Sequence, residues 1–220
     1  MKFDAGNRIF TFLSKMVDTV ALSVLWVVFC LPVFTIGAAS TAFYYTIHKA
    51  LVRSRGYIWR TFWESFKSNF KQATLTWLIQ LVVLVVFGLD VMIMRSMASQ
   101  GSTLYTVLLY IFYVLIAIAI VWCYYTIAYQ ARFENTIRNS MINAGVIAFL
   151  NLPWSLLVFA IFVLAVLIVF TIPVFIFLIP TVQFLLYDTI LERIFRKYMK
   201  PEDLERELEN DALDKESDIF

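Results

Sequence analysis

Few residues of this 220-residue chain could do chemistry, and they lie far apart in the sequence. Asp90 lies in the apolar stretch VVFGLDVMIM, and a carboxylate among apolar residues could bind a cation or relay a proton. Arg95 follows five residues later, close to the expected end of that stretch. Asp90 is therefore a candidate polar site within an apolar segment, and an ion pair with Arg95 or a position at the interface is the simpler interpretation.

His48, beside Lys49, is the one histidine of the chain and by itself cannot build the usual zinc site, which needs several ligands. We expect His48 at the level of the lipid headgroups, where it could sense pH, and Asp188 at an interface too. Cys30 and Cys123 lie in apolar runs, which favours small buried side chains over a disulfide. No P-loop, dinucleotide, zinc-protease or nucleophile-elbow motif occurs. We therefore predict no catalytic residue, no metal site and no cofactor, and hence a protein that is not an enzyme.

The stretch GYIWRTFWESFKSNFKQA, residues 56–73, combines aromatic and basic residues. On a helix they separate into two opposite faces. The aromatic face carries Trp59, Phe62, Trp63, Phe66 and Phe70, and the charged face carries Arg60, Glu64, Lys67 and Lys71. This pattern predicts an interfacial helix or a helix that docks on a partner, with cations directed to anionic lipid or to protein. Binding of single-stranded nucleic acid requires exposed aromatics for stacking, so we expect no nucleic-acid partner.

The composition places most of the chain in a lipid bilayer. Of its residues 61% are hydrophobic and 15% are charged, whereas soluble domains carry about 25% charged residues. A helix needs about 20 apolar residues to cross a bilayer. We therefore predict an all-α, polytopic membrane domain over residues 1–200, with about five transmembrane helices and cytoplasmic interfacial helices at 56–73 and 132–144. The predicted spans lie near residues 17–39, 73–94, 103–128, 148–170 and 172–190.

The basic residues predict the orientation, because cytoplasmic loops are enriched in Lys and Arg. With five spans, twelve basic residues fall on one side and four on the other. We therefore predict a multi-pass protein of the cell membrane with its N-terminus outside and its C-terminus in the cytoplasm. The C-terminal tail, 201–220, carries nine acidic and two basic residues. The sequence LPVFTIGAAS at 31–40 predicts a broken helix or a re-entrant turn, and a re-entrant turn would place the N-terminus inside.

Four motifs resemble the YesL family of Gram-positive membrane proteins. They are LPVFTIGAASTAFYYT at 31–46, GYIWRTFWESFKSNFKQAT at 56–74, ARFENT at 131–136 and NLPWSLL at 151–157. The resemblance implies no established activity and no catalytic residues. Members of that family are commonly encoded beside carbohydrate ABC importers and glycan-degrading enzymes, which implies an accessory role in sugar uptake.

Two functions follow from these observations. The first is a non-catalytic accessory protein in the bilayer. Its interfacial helices at 56–73 and 132–144 would present polar faces to the permease or ATPase subunits of a carbohydrate ABC importer. The alternative is an autonomous transporter or channel for small solutes with a polar site near Asp90. Two features support this alternative, the predicted break at 31–40 and a weak repeat, Tyr-Tyr-Thr-Ile at 44–47 and 124–127. Both leave the oligomeric state open.

Overall fold

The computed structural model describes residues 5–53, 57–199, 201–202, 204–205 and 209, with side chains from residue 15 onward. Within these residues the chain forms helices and turns and no strand, which confirms the predicted all-α class. The predicted acidic tail, 201–220, lies largely outside the described residues. The helices are α1 (Ala5–Cys30), α2 (Ile36–Thr46), α3 (Ile58–Ala98), α4 (Thr103–Arg132), α5 (Ile137–Leu150), α6 (Leu152–Thr171) and α7 (Ile179–Phe195).

Three helices in the described part of the chain, α3, α4 and α6, are long and apolar enough to cross a membrane. They overlap the predicted spans at 73–94, 103–128 and 148–170. Helix α3 has 41 residues and is therefore about 62 Å long, whereas the hydrocarbon of a bilayer is about 30 Å thick. About half of α3 thus extends beyond any crossing. The number of crossings, predicted as five, stays a prediction.

The first predicted span, 17–39, is not one continuous helix. Helix α1 ends at Cys30, a 3-10 turn occupies Val33–Thr35, and α2 begins at Ile36. The break leaves carbonyl groups without partners in a helix, and side chains bind them. Thr35 Oγ1 lies 2.6 Å from the carbonyl oxygen of Phe29 and 2.6 Å from that of Pro32.

Helix α2 folds back against the end of α1. Trp26 Nε1 donates a hydrogen bond to Ser40 Oγ over 3.1 Å, and the Trp26 ring lies 5.6 Å from that of Phe43. A reversal of this kind matches the re-entrant version of the predicted topology, which places the N-terminus inside. The side of the membrane on which each terminus lies stays a prediction.

The apolar stretch is interrupted at the sequence TIPVF, residues 171–175, where the predicted spans 148–170 and 172–190 meet. Helix α6 ends at Thr171, a 3-10 turn follows at Pro173–Phe177, and α7 starts at Ile179. Proline cannot donate the backbone hydrogen bond that a continuing helix requires, so Pro173 suits this position. Helix α7 then runs back along the bundle, where Ser23 Oγ and Thr181 Oγ1 lie 2.6 Å apart.

Helices α2 and α3 approach each other closely at Gly37. A Cβ atom on Gly37 would lie 2.3 Å from Trp77 Cβ and 2.6 Å from the carbonyl oxygen of Ala73. Trp77 also crosses this contact, because its Nε1 donates to the carbonyl oxygen of Val33 over 2.8 Å. Glycine therefore permits a backbone contact that no larger residue could accommodate.

We expect Gly37→Ala to destabilise the protein by about 1–3 kcal/mol, because the added methyl group overlaps Trp77 and forces α2 away from α3. Thermal unfolding of the purified protein in detergent would measure the change. Gly88→Ala is the control, since nothing lies within 4 Å of a Cβ at Gly88, which lies on α3. Equal unfolding temperatures for the two variants would show that the close contact is absent.

Candidate functional site

The aromatic face predicted at 56–73 belongs to α3 itself and not to a separate helix. Phe62 and Phe66 are buried, with ring centroids 5.3 and 4.9 Å from that of Phe29 in α1. Trp59 is 61% exposed, and Trp63 and Phe70 are 37% and 36% exposed. The face is therefore divided, with one part in the protein core and the other open to lipid or to a partner.

The charged face of the same segment is exposed. Arg60 Nε lies 2.7 Å from Glu64 Oε1 in an (i, i+4) ion pair. The ammonium group of Lys67 lies 4.6 Å from the centroid of the Trp63 ring, and Lys71 is exposed one turn further on. These residues can contact anionic lipid or another protein, and the choice between the two stays a prediction.

Asp90 lies half-buried in the apolar part of α3. No ion pair joins it to Arg95 or to another residue that the structure describes, so the expected pairing is absent. Two interpretations of Asp90 therefore remain. It is either a carboxylate that lies near the membrane interface or a functional group within the apolar segment.

A buried group of charged side chains lies elsewhere, where α2, α4 and α7 meet. We call His48, Asp188, Glu192 and Arg132 the buried ion-pair cluster. His48 Nδ1 lies 2.7 Å from Asp188 Oδ1 and 3.8 Å from Glu192 Oε1. Arg132 Nε lies 2.7 Å from that same Glu192 oxygen. At most 7% of His48, Asp188 or Glu192 is exposed.

Three local features bring the cluster together. The backbone after α2 forms a π-helix over Ile47–Val52, which turns His48 toward the core. Asp188 and Glu192 are four residues apart on α7 and therefore lie on one face of that helix. Arg132 is the last residue of α4. Each element contributes from its C-terminal end, so the cluster lies at one end of the bundle.

Tyr44 adds a neutral donor to the cluster. Its hydroxyl group donates to Glu192 Oε1 over 3.3 Å. Burial raises the pKa of this phenol well above its usual range, and the charges of Glu192 and Asp188 raise it further. Tyr44 therefore keeps its proton, and it binds the carboxylate of Glu192 as a donor.

Two expectations from the sequence concern the residues of this cluster. His48 and Asp188 are buried within the protein, and their expected position at the level of the headgroups stays a prediction. The single histidine argued against a metal site, yet His48, Asp188 and Glu192 each offer a ligand atom, and these atoms all lie within 4.8 Å of one another. The spacing of the two acids in YDTILERIF was the available signal, because it places both on one face of a helix.

A polar groove of about 630 Å³ lies beside the cluster, between the first part of α3 and the link from α4 to α5. Thr61, Ser65 and Gln130 are buried in its walls, and Arg132 lines its inner edge. The side-chain amide of Gln72 donates to the carbonyl oxygen of Asn135 over 2.7 Å, which ties the two sides together. The groove adjoins the charged face of α3, since Glu64 lines it as well.

We expect Arg132→Met to destabilise the protein by roughly 3 kcal/mol, the lower end of the range for breaking a buried ion pair. The loss follows because the buried carboxylate of Glu192 loses the guanidinium group whose Nε lies 2.7 Å from Oε1, although Tyr44 still donates to it. Arg138→Met is the control, since Arg138 is exposed. Unfolding in detergent should place Arg138→Met within about 0.5 kcal/mol of wild type.

The double variant Glu192→Gln with Arg132→Met tests the ion pair of Arg132 and Glu192 by removing the carboxylate as well. Removing the carboxylate should recover part of the loss, because the buried negative charge is then gone. An additive double variant, with no recovery, would mean that Arg132 does not stabilise Glu192.

Comparison with known protein families gives one match. Residues 19–91 match the family described as "Protein of unknown function, DUF624". The match covers the second half of α1, all of α2, His48, and α3 as far as residue 91, which includes Asp90. It ends before Arg132, Asp188 and Glu192. No curated protein and no solved structure matches the chain. The match is consistent with the resemblance to the YesL family. Together with the apolar helices, it indicates a membrane protein. Over one third of its length, this protein is similar to a family without a known function.

Proposed function

We propose that this chain is a non-catalytic accessory protein of the cell membrane that docks on another membrane complex through the first part of α3. The partner that we propose is a carbohydrate ABC importer, bound at its permease or ATPase subunits. The resemblance to the YesL family is the reason for choosing this partner class. The proposal also places the docking surface, together with the C-terminus, on the cytoplasmic side.

The observation that carries the proposal is the length of α3 and the division of its first part into a buried and an exposed face. Burial of Phe62 and Phe66 against α1 anchors this part of the helix to the bundle. Trp59, Arg60 and Lys67 remain exposed on that anchored helix. A rigid helix with exposed aromatic and basic side chains suits a protein interface, because little conformational entropy is lost when a partner binds.

The adjoining polar groove supports the same proposal. It has a volume of about 630 Å³, and its walls carry hydroxyl and amide groups that can bind the backbone of a partner's loop. Glu64 lines the groove and also belongs to the charged face, so a single partner could contact both surfaces.

Charge reversal tests the docking surface. The tagged protein would be purified from its native membrane in mild detergent, and co-purified subunits would be quantified by mass spectrometry. Lys67→Glu with Lys71→Glu should lower the recovered importer subunits about tenfold, because like charges would then face each other across the interface. Arg95→Glu is the control, since it reverses an exposed charge at the other end of the same helix.

Two results would contradict the accessory function. The wild-type protein could be recovered alone or with copies of itself, in which case it has no stable partner. Alternatively, the variants at Lys67 and Lys71 could retain as many importer subunits as Arg95→Glu does, in which case the partner binds another surface.

A second candidate is an autonomous transporter or channel, and Asp90 is the observation that favours it. Its carboxylate lies in the apolar part of α3 and has no ion pair with any residue that the structure describes. For this function we expect Asp90→Asn to abolish flux of a solute or protons through the reconstituted protein, since the charged form is lost. Glu64→Gln, an exposed acid on the same helix, should leave the flux unchanged. Wild-type vesicles that conduct nothing would exclude this candidate.

A further inference from the structure

We propose that His48, Asp188 and Glu192 together bind one divalent cation of the first transition row. The imidazole of His48 would supply a ring nitrogen, and each carboxylate would supply an oxygen. Arg132 would hold the carboxylate of Glu192 in position from outside the metal's ligand set. This site does not depend on the docking function proposed above and lies deeper in the bundle than the surface of α3.

The separations of the ligand atoms suit a small cation. His48 Nδ1 lies 2.7 Å from Asp188 Oδ1 and 3.8 Å from Glu192 Oε1. Bonds of about 2.0–2.2 Å to a tetrahedral Zn²⁺ place neighbouring ligands about 3.3–3.6 Å apart. Movements of less than about 1 Å bring each of these two separations into that range, and all three ligand atoms already lie within 4.8 Å of one another.

The ring of His48 faces the two acids with one nitrogen only. Nδ1 lies next to Asp188 and Glu192, and Nε2 has no hydrogen-bond partner among the described residues. A metal bound at Nδ1 replaces the hydrogen bond to Asp188 and leaves the ring proton on Nε2, so that one nitrogen serves the metal and the other keeps the proton.

The carboxylate of Glu192 is already held in place by Arg132, whose Nε lies 2.7 Å from Glu192 Oε1. Arg132 and the cation can both act on Glu192, because ligating carboxylates are normally held by further hydrogen bonds.

The backbone is irregular at His48, the nitrogen ligand of the proposed site. His48 lies in the π-helix Ile47–Val52, between α2 and the loop that leads to α3. π-Helical turns are rare and often lie at functional sites, where they redirect a side chain. Asp188 and Glu192, in contrast, occupy regular α-helical positions. The distortion therefore affects the element that brings the nitrogen ligand to the two acids.

The ligand types select the class of metal. One imidazole with two carboxylates suits Zn²⁺ or Mn²⁺, whereas Ca²⁺ and Mg²⁺ prefer oxygen ligands alone. Arg132 lines both the polar groove and a second surface cavity that also includes Tyr198. Ions in solution can therefore reach the outer edge of the cluster.

Metal uptake by the purified full-length protein in detergent tests the proposal. The protein would be stripped with a chelator, incubated with ZnCl₂ or MnCl₂, desalted and analysed by mass spectrometry of the elements. We expect about one equivalent of metal per chain and a higher unfolding temperature. His48→Ala and Asp188→Asn should weaken binding at least about tenfold. Glu134→Gln, an exposed acid of the α4–α5 link, should bind as wild type does.

X-ray absorption spectroscopy of the Zn²⁺-loaded wild type covers the case in which the variants fail to fold. One imidazole nitrogen and oxygen ligands in the first shell support the site, because His48 is the only histidine of the chain. A shell of oxygens alone overturns it and assigns the bound metal to exposed acids such as those of the tail. Wild-type protein that takes up no metal also overturns the proposal and leaves the cluster as a structural ion pair.

Discussion

Burial of two carboxylates on α7 is the constraint on which this end of the bundle depends. Asp188 and Glu192 can be buried only if other elements supply donors and positive charge. His48 comes from the turn after α2, Arg132 from the end of α4, and the hydroxyl group of Tyr44 from α2 itself. The carboxylates therefore determine how three separate parts of the chain meet. A helix that shifted by one residue would leave a buried charge without its partner, which favours one arrangement over its neighbours.

The same requirement explains how the bundle tolerates its breaks. A helix that ends inside an apolar bundle leaves carbonyl groups that water cannot reach. Near the break after α1, Thr35 and the indole of Trp77 bind carbonyl oxygens of that segment. The indole of Trp122 also donates to a backbone carbonyl oxygen, that of Met141 within α5, over 2.9 Å. Tryptophan is enriched at membrane interfaces, and Trp77 and Trp122 serve here as hydrogen-bond donors between helices.

The amphipathic pattern at 56–73 was predicted correctly, but the helix that carries it is the first part of α3 and not a separate interfacial helix. The two faces of 56–73 are present, but residues 57–87 contain neither proline nor glycine, and the helix continues into the apolar stretch without a stop. An aromatic face of this kind suits lipid and protein equally well, since both exclude water. Phe29 of α1 covers Phe62 and Phe66, a contact that lies more than 30 residues away in the sequence.

Local properties of the sequence determined the helical class, the apolar segments of α3, α4 and α6, and the breaks at Pro32 and Pro173. Hydrophobicity and proline act over a few neighbouring residues, so one sequence suffices to read them. Only the tertiary structure decided that His48, Arg132, Asp188 and Glu192 share one buried place. They come from three regions up to 144 residues apart, and each looks like an ordinary interfacial residue alone. Their meeting depends on the fold-back of α2 and the packing of α7, because a charge is buried only where its partners converge.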